Sequence, residues 1–389
     1  MSGTRIAIIG AGMIGAAHAA GYRQYLARFP GLGLRLGIVC DANEAQATSL
    51  ASTYGFEATA SDWRKVIDDP EVGIVSICLP NFLHTEVTQA ALKAGKNVLC
   101  EKPLALRAEE ARETWLLARE AGVTSGTVFN YRRIPAVSDI ARRVAAGELG
   151  APVQILIQYQ CDYAADPLLP HSWRYELERA GPGALLDVGT HAVDLARFIM
   201  GNIAEVIGAV ATISIPERFL PKGATTGHGH VELSDRKAKV ENDDVMSALL
   251  RFANGAQGFM TASRVAVGTG NRVQVEVYGT KGTARFSNET PSHFDLAILG
   301  ERGPAPFQRM LNRPSSPYVA ELAAVPHDLV PIGYAESFGF MIHEFLQAVA
   351  EGKPFTNGSI EDGYRAAQVL DAIQKASVTN STVKVSWEE

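Results

Sequence analysis

The apolar run Ile6-Ala7-Ile8-Ile9 closes in Gly10-Ala11-Gly12-Met13-Ile14-Gly15, after which the chain becomes amphipathic. Three glycines at this spacing, between a strand-like run and a helix-like one, each have a separate reason to be there. The first permits a tight turn, the second lets the backbone approach a pyrophosphate, and the third lets the helix pack against the strand. A helix starting at that point offers unpaired N–H groups and the positive end of its dipole to phosphate oxygens. The segment therefore predicts a βαβ unit that holds a dinucleotide at Gly10, Gly12, Met13, Ile14 and Gly15.

The next hundred residues keep the same rhythm. Strands are expected at 5–10, 34–40, 73–78, 97–100 and 123–129, and helices at 14–27, 43–54, 84–94 and 108–121. Continuous apolar strands separated by helices indicate a parallel sheet covered on both faces, the doubly wound architecture. Asp41 closes the second strand, 26 residues beyond Gly15, with the loop 29–33 taking up the extra length. A carboxylate there suits the ribose hydroxyls and repels a 2′-phosphate, and no arginine follows it directly. NAD is expected over NADP.

Beyond Tyr131 the pattern changes. Helices are expected at 136–146, 183–200, 334–351 and 360–376, with strands at 153–161, 206–215, 245–252, 257–264, 272–278, 283–286 and 382–385. Asn254-Gly255 reads as a type I′ hairpin turn, and the short connections favour an antiparallel sheet. The polar stretch 221–241 interrupts the strands and reads as an insertion or flexible loop. The expected fold class is α/β, a Rossmann domain over 1–130 followed by an α/β domain over 131–389. In the second domain the strand runs carry apolar residues on both faces (Val206, Ile207, Val210, Ile213, Val273, Val275, Val277), and helices can cover only one. A homo-oligomer, dimer or tetramer, is expected.

Bulk properties exclude several partners. With 389 residues and a net charge of −6, the chain has no basic excess for nucleic acid or an anionic membrane. No apolar run approaches the roughly 20 residues that span a bilayer. Met1–Arg5 leads straight into the first strand, so no secretory signal is expected, and a cytoplasmic location is. The four cysteines, Cys40, Cys78, Cys100 and Cys161, lie in or beside apolar runs without metal spacing, and no metal site is expected.

Two further segments carry chemistry. Glu101-Lys102-Pro103 follows the fourth strand, at the sheet edge where ligands bind, and a lysine ammonium there can stabilise a developing alkoxide. Asp187 and His191 stand four apart in 183–200, so one helix would place them on one face. A neutral histidine can accept a hydroxyl proton while a carboxylate orients the ring. Asp194 reads as a second orienting acid or a solvent-facing residue.

Taken with Pro80-Asn81-Phe82-Leu83-His84, Asn130-Tyr131-Arg132-Arg133 and the run Gly183 to Asp194, these segments resemble the glucose–fructose oxidoreductase, inositol dehydrogenase and rhizopine-catabolism family (Gfo/Idh/MocA) over nearly the whole length. The resemblance implies a Rossmann domain, a second domain with a large open sheet, and oxidation of a secondary alcohol on a sugar or cyclitol. Lys102, Asp187 and His191 match the family's catalytic positions. Cys78, Leu79, Pro80, Asn81, His84, Glu101 and Asn130 match positions lining the nicotinamide side, and the Lys102–Pro103 bond is often cis in the family. Tyr159-Gln160-Cys161-Asp162 with Ser172-Trp173-Arg174-Tyr175 is similar to members acting on glucosides or anhydrosugars at C3. It implies sugar contacts by Tyr131, Arg132, Tyr159, Asp162 and Trp173, with Trp173 and Arg174 also reaching the cofactor. An inositol 2-dehydrogenase and an NAD-dependent glycosidase, in which oxidation is transient, remain open alternatives.

Overall fold

The computed structural model describes residues 4–31, 33–223, 229–301 and 303–387. Residues 1–3 of the N-terminal lead-in, Leu32 of the loop 29–33 and residues 224–228 of the stretch 221–241 lie outside them. The chain folds into two compact units, the first formed by Met1–Asn130 with Tyr334–Tyr364, the second by Tyr131–Gly333 with Arg365–Glu389.

In the first unit β1 (Thr4–Ile9), α1 (Met13–Arg28), β2 (Leu34–Cys40), α2 (Glu44–Tyr54), β3 (Ala58–Ala60), α3 (Trp63–Asp68), β4 (Val72–Ile77), α4 (Asn81–Lys93), β5 (Asn97–Cys100), α5 (Ala108–Ala121) and β6 (Ser125–Thr127) follow one another. The six strands are parallel, in the order β3-β2-β1-β4-β5-β6. The order reverses between β1 and β4, and ligands of such sheets gather at the carboxyl ends beside that reversal. Ile6, Ile8, Ile74 and Leu99 are fully buried, which is why these strands read as unbroken apolar runs. The expected strand 123–129 shrinks to Ser125–Thr127, and β3 and α3 are additions. Asn43 is not helical; its side chain caps α2 by accepting from the N–H groups of Ala45 and Gln46.

The second unit contains α6 (Pro135–Ala145), β7 (Pro152–Cys161), α7 (Leu177–Ala180), α8 (Gly183–Asp187), α9 (Gly189–Met200), β8 (Ile203–Thr212), β9 (Glu217–Pro221), β10 (Leu233–Lys239), β11 (Val245–Phe252), β12 (Gln257–Ser263), β13 (Asn271–Gly279), β14 (Gly282–Ser287), β15 (His293–Gly300), β16 (Gly303–Pro304), β17 (Gln308–Leu311) and α10 (Val319–Leu322). After α11 (Tyr334–Glu351) and α12 (Ile360–Thr379), β18 (Val383–Lys384) completes the large sheet. Its order is β16-β15-β14-β13-β7-β12-β11-β8-β18, with β17 also on β15. The β7–β12 pair is parallel and the other pairs are antiparallel. Alternation along β7 buries Ile155, Ile157, Tyr159 and Cys161. Helices α8 and α9 lie against β7, β11 and β12.

Four expectations need correction. The helix expected at 183–200 breaks at Val188, so Asp187 ends α8 and His191 sits in the first turn of α9. The Asn254-Gly255 turn does make a hairpin, but only Gly255 has positive φ (88°), so it is not type I′. Asn254 instead accepts the N–H of Ala256 and donates to the Met200 carbonyl. Within the stretch 221–241, Leu233–Lys239 is not a loop but β10, which pairs antiparallel with β9 at Glu217–Pro221. Finally, 131–389 is not one contiguous unit, because Tyr334–Tyr364 belongs with the first. The apolar face of α11, with Phe338, Met341, Ile342, Phe345 and Leu346, shares the core of α1 and β1. Among the described residues no helix is long and apolar enough to cross a membrane.

Candidate active site

The glycine loop has the geometry that a dinucleotide requires. Gly10 has φ 108°, and a Cβ there would lie 2.2 Å from the Cys78 carbonyl oxygen. A Cβ on Gly15 would lie 2.0 Å from the Gly10 carbonyl oxygen, so neither position admits a side chain. A Cβ on Gly12 would meet nothing within 4 Å, which leaves the N-terminus of α1 open to a phosphate. Among the described residues no side chain caps that terminus. Met13 beside it is 76% exposed, and Ile14 is half-buried. Asp41 accepts the N–H of Ala11 on Oδ2 and that of Asn43 on Oδ1, both at 2.8 Å. Each oxygen retains a lone pair for a ribose hydroxyl. These residues fit NAD.

The strand ends β4 and β5 bring the next group together. Cys78, Leu79, Pro80 and Asn81 are half-buried after β4, and Glu101, Lys102 and Pro103 follow β5 with a cis Lys102–Pro103 bond. The two His84 ring nitrogens lie 2.6 Å from the Pro103 carbonyl oxygen and 2.7 Å from that of Leu79, tying the two strand ends to α4. Burial holds this imidazole below its ordinary pKa, although both carbonyls pull upward. Burial and the Glu101 charge push the Cys78 thiol well up, so it stays protonated. Asn130 is 1% exposed and donates to Ser337 Oγ at 2.9 Å, while its Oδ1 is buried without a hydrogen-bond partner among the described residues.

In the second unit His191 is 4% exposed. The Tyr131 ring meets it edge-on at 4.9 Å, and the Tyr159 ring lies 5.7 Å away. The two phenols bond to each other at 2.9 Å, and burial keeps Tyr131 protonated. Asp187 accepts a hydrogen bond from Tyr163 at 2.5 Å. Burial, then the Asp187 charge, holds the Tyr163 phenol well above its ordinary range, so it remains a donor. Asp162 accepts the N–H of Gly268 at 3.2 Å, and the Arg174 guanidinium stacks on Trp173 at 4.5 Å.

Asp194 does not face solvent. It is 1% exposed and forms a fork with Arg132, with Nε–Oδ2 at 2.9 Å and Nη2–Oδ1 at 2.5 Å. The Arg132 guanidinium, expected to meet a sugar, is thus already engaged inside the protein.

Residues that no sequence motif singled out hold the start of α8, the helix that ends in Asp187. The Asp243 carboxylate accepts the N–H of Leu185 at 2.9 Å and its carbonyl that of Ala184, capping α8 from the segment just before β11. Arg264 holds the adjoining Asp244 at 2.9 Å and Asn242 at 2.9 Å. The only sequence signal for them is Asn242-Asp243-Asp244, an acidic cluster before an apolar strand. Among the described residues no group of three or more His, Cys, Asp or Glu side chains could hold a metal ion.

Comparison with known proteins agrees with this geometry. Residues 4–129 match the profile "Oxidoreductase family, NAD-binding Rossmann fold", and residues 137–285 match "GFO/IDH/MocA C-terminal domain". The chain is 36% identical over 390 residues to levoglucosan dehydrogenase of Pseudarthrobacter phenanthrenivorans, covering 99% of each. It is 35% identical over 204 residues to D-glucoside 3-dehydrogenase of Escherichia coli, covering 51% of this chain and 54% of that one. A solved structure of levoglucosan dehydrogenase in complex with NADH and levoglucosan superposes with a TM-score of 0.89 at 34% identity, covering 99% of this chain and 100% of that one. The chain belongs to the Gfo/Idh/MocA family of oxidoreductases, with an NAD-binding Rossmann domain at residues 4–129.

Proposed function

We propose that the protein oxidises a secondary hydroxyl of a pyranose, glycoside or anhydrosugar, at C3, to the corresponding keto sugar. NAD, when bound, supplies the hydride acceptor. His191 takes the hydroxyl proton as the carbon–oxygen double bond forms, so one proton and one hydride leave the alcohol together. Lys102 donates a hydrogen bond to the carbinol oxygen and stabilises its growing negative charge. Asp187, held by Tyr163, favours the cationic form that His191 acquires. Tyr131 and Tyr159 exclude water around the ring.

The single observation that carries the reading is the full-length likeness to an enzyme named for levoglucosan; the roles of Lys102, Asp187 and His191 are those that the sequence resemblance implies. The test is a panel of levoglucosan, simple glucosides, glucose and inositols, each with NAD, followed by NADH accumulation and carbon NMR of the product. Net NADH and a C3 carbonyl from levoglucosan or a glucoside are expected. Turnover of inositols alone would replace the reading by an inositol dehydrogenase. Glycosidic cleavage without net NADH would replace it by a glycosidase.

A further inference from the structure

One buried network in the first unit is used by none of the chemistry above. His18 and Tyr22 share a face of α1, and with Ser76 on β4 all three are 0% exposed. His18 Nδ1 lies 3.1 Å from Ser76 Oγ, and Nε2 lies 3.2 Å from Glu101 Oε1. The Tyr22 hydroxyl lies 2.7 Å from Ser76 Oγ. At the far end, the backbone N–H of Lys102 donates to Glu101 Oε2 at 3.1 Å. Donor and acceptor types set the direction of this chain. A carboxylate only accepts, so Nε2 carries its hydrogen toward Glu101, and a ring with that single hydrogen accepts from Ser76 on Nδ1. Ser76 accepts from Tyr22, whose phenol burial keeps protonated. The chain therefore runs unbroken from the interior of α1 to the backbone of Lys102, where an unpartnered buried group would be costly.

We propose that His18 is a positioning residue. It clamps the Glu101 carboxylate, which fixes the backbone that projects the Lys102 ammonium, and it affects the reaction only through Lys102. The inference rests on the role given to Lys102 above. His18 also packs against Phe338, with ring centroids 5.6 Å apart, so the test must separate clamping from packing.

Four variants do so. His18→Phe keeps the ring and drops the donor, His18→Gln restores an amide N–H near the Nε2 position, and Lys102→Ala is made alone and combined with His18→Phe. Two readouts apply: NADH formation from levoglucosan with NAD, and exchange of the Lys102 backbone amide under lysine-selective isotope labelling. His18→Phe should lower kcat about tenfold, the loss expected for one charge-assisted hydrogen bond, with KM for NAD changed less than about twofold. Lys102 amide exchange should quicken about tenfold, and His18→Gln should recover most of both effects. In the Lys102→Ala background His18→Phe should change little further, whereas a packing role would add its loss independently.

Wild-type kcat and unchanged Lys102 exchange in folded His18→Phe would overturn the clamp, as would losses that add to those of Lys102→Ala. If Lys102→Ala alone keeps the full rate, the role of Lys102 falls instead, and the exchange measurement still judges the clamp. If His18→Phe does not fold, Ser76→Ala takes its place, and unchanged exchange there rejects the proposal.

Discussion

Asp41, at the end of β2, accepts the backbone N–H of Ala11 inside the glycine loop at 2.8 Å. The acid expected at the ribose and the loop expected at the pyrophosphate are thus joined directly, across thirty positions of sequence. A 2′-phosphate would have to sit against a carboxylate whose other oxygen is also fixed, by the N–H of Asn43. Like charges so placed cost several kcal/mol. The enzyme should show kcat/KM for NAD at least about 10²-fold above that for NADP. Asp41→Ala should weaken NAD and narrow the ratio. Equal efficiency with the two cofactors in the wild type would mean that this carboxylate does not face the ribose.

His191 and Lys102 should govern the chemical step rather than cofactor binding. His191→Ala removes the proton acceptor and should lower kcat by about 10²-fold or more. Lys102→Ala removes a donor to the developing alkoxide, a loss of about 3 kcal/mol in the transition state. Neither should alter NADH affinity by more than a few-fold if, as proposed, the glycine loop and Asp41 hold the dinucleotide. Tyr163→Phe should give a smaller loss, about tenfold, since Asp187 stays but loses a hydrogen bond to a charged group. A folded His191→Ala enzyme working near the wild-type rate would move the base elsewhere.

His84 should make stability depend on pH with a definite sign. Burial holds its folded-state pKa below the ordinary value of 6.5. The unfolded chain therefore binds the proton first as pH falls, and stability is lost from about pH 6.5 downward toward the folded pKa. Above that value the contribution is complete. Tm measured from about pH 7 to about pH 5 should fall more steeply for the wild type than for His84→Gln. Parallel slopes would show that His84 does not titrate differently on folding.

What the sequence made legible followed from local signals. β2 and β5 fall at the expected residues because each ends in a buried apolar run with a sharp end, Ile38-Val39-Cys40 and Val98-Leu99-Cys100. The glycine loop was legible because its geometry is carried by backbone alone. The break at Val188 was not, since Ala184 to Val193 is almost wholly buried and a periodicity has no polar face to lose there. β3 is three residues, Ala-Thr-Ala, too short and too exposed to leave an apolar run that marks it. The pairing of Arg132 with Asp194 spans 62 positions, and His18 lies in an alanine-rich helix that reads as ordinary packing. Long-range polar partners such as these are set by tertiary approach, which no local window contains.

The large sheet leads to the last prediction, that the protein is a homo-oligomer held through its outer sheet face. Helices α8 and α9 cover one face, burying Ile157, Met260, Ala248 and Leu250. On the opposite face the register aligns Leu156 of β7, Phe259 of β12 and Leu249 of β11 in one apolar row. Leu249 is 53% exposed, and Val210 of β8, opposite Ser247 on the same face, is 67% exposed. A contiguous apolar row in the middle of a sheet favours burial against a partner, and a second copy of the same face is self-complementary. Light scattering at about micromolar concentration should give at least twice the mass of one chain, as a stable interface of standard size requires. Leu249→Arg with Phe259→Arg should shift that mass toward a single chain, because two charges would be buried without partners. A wild-type protein that runs as a single chain at that concentration would leave the row without a partner and end this reading of the sheet.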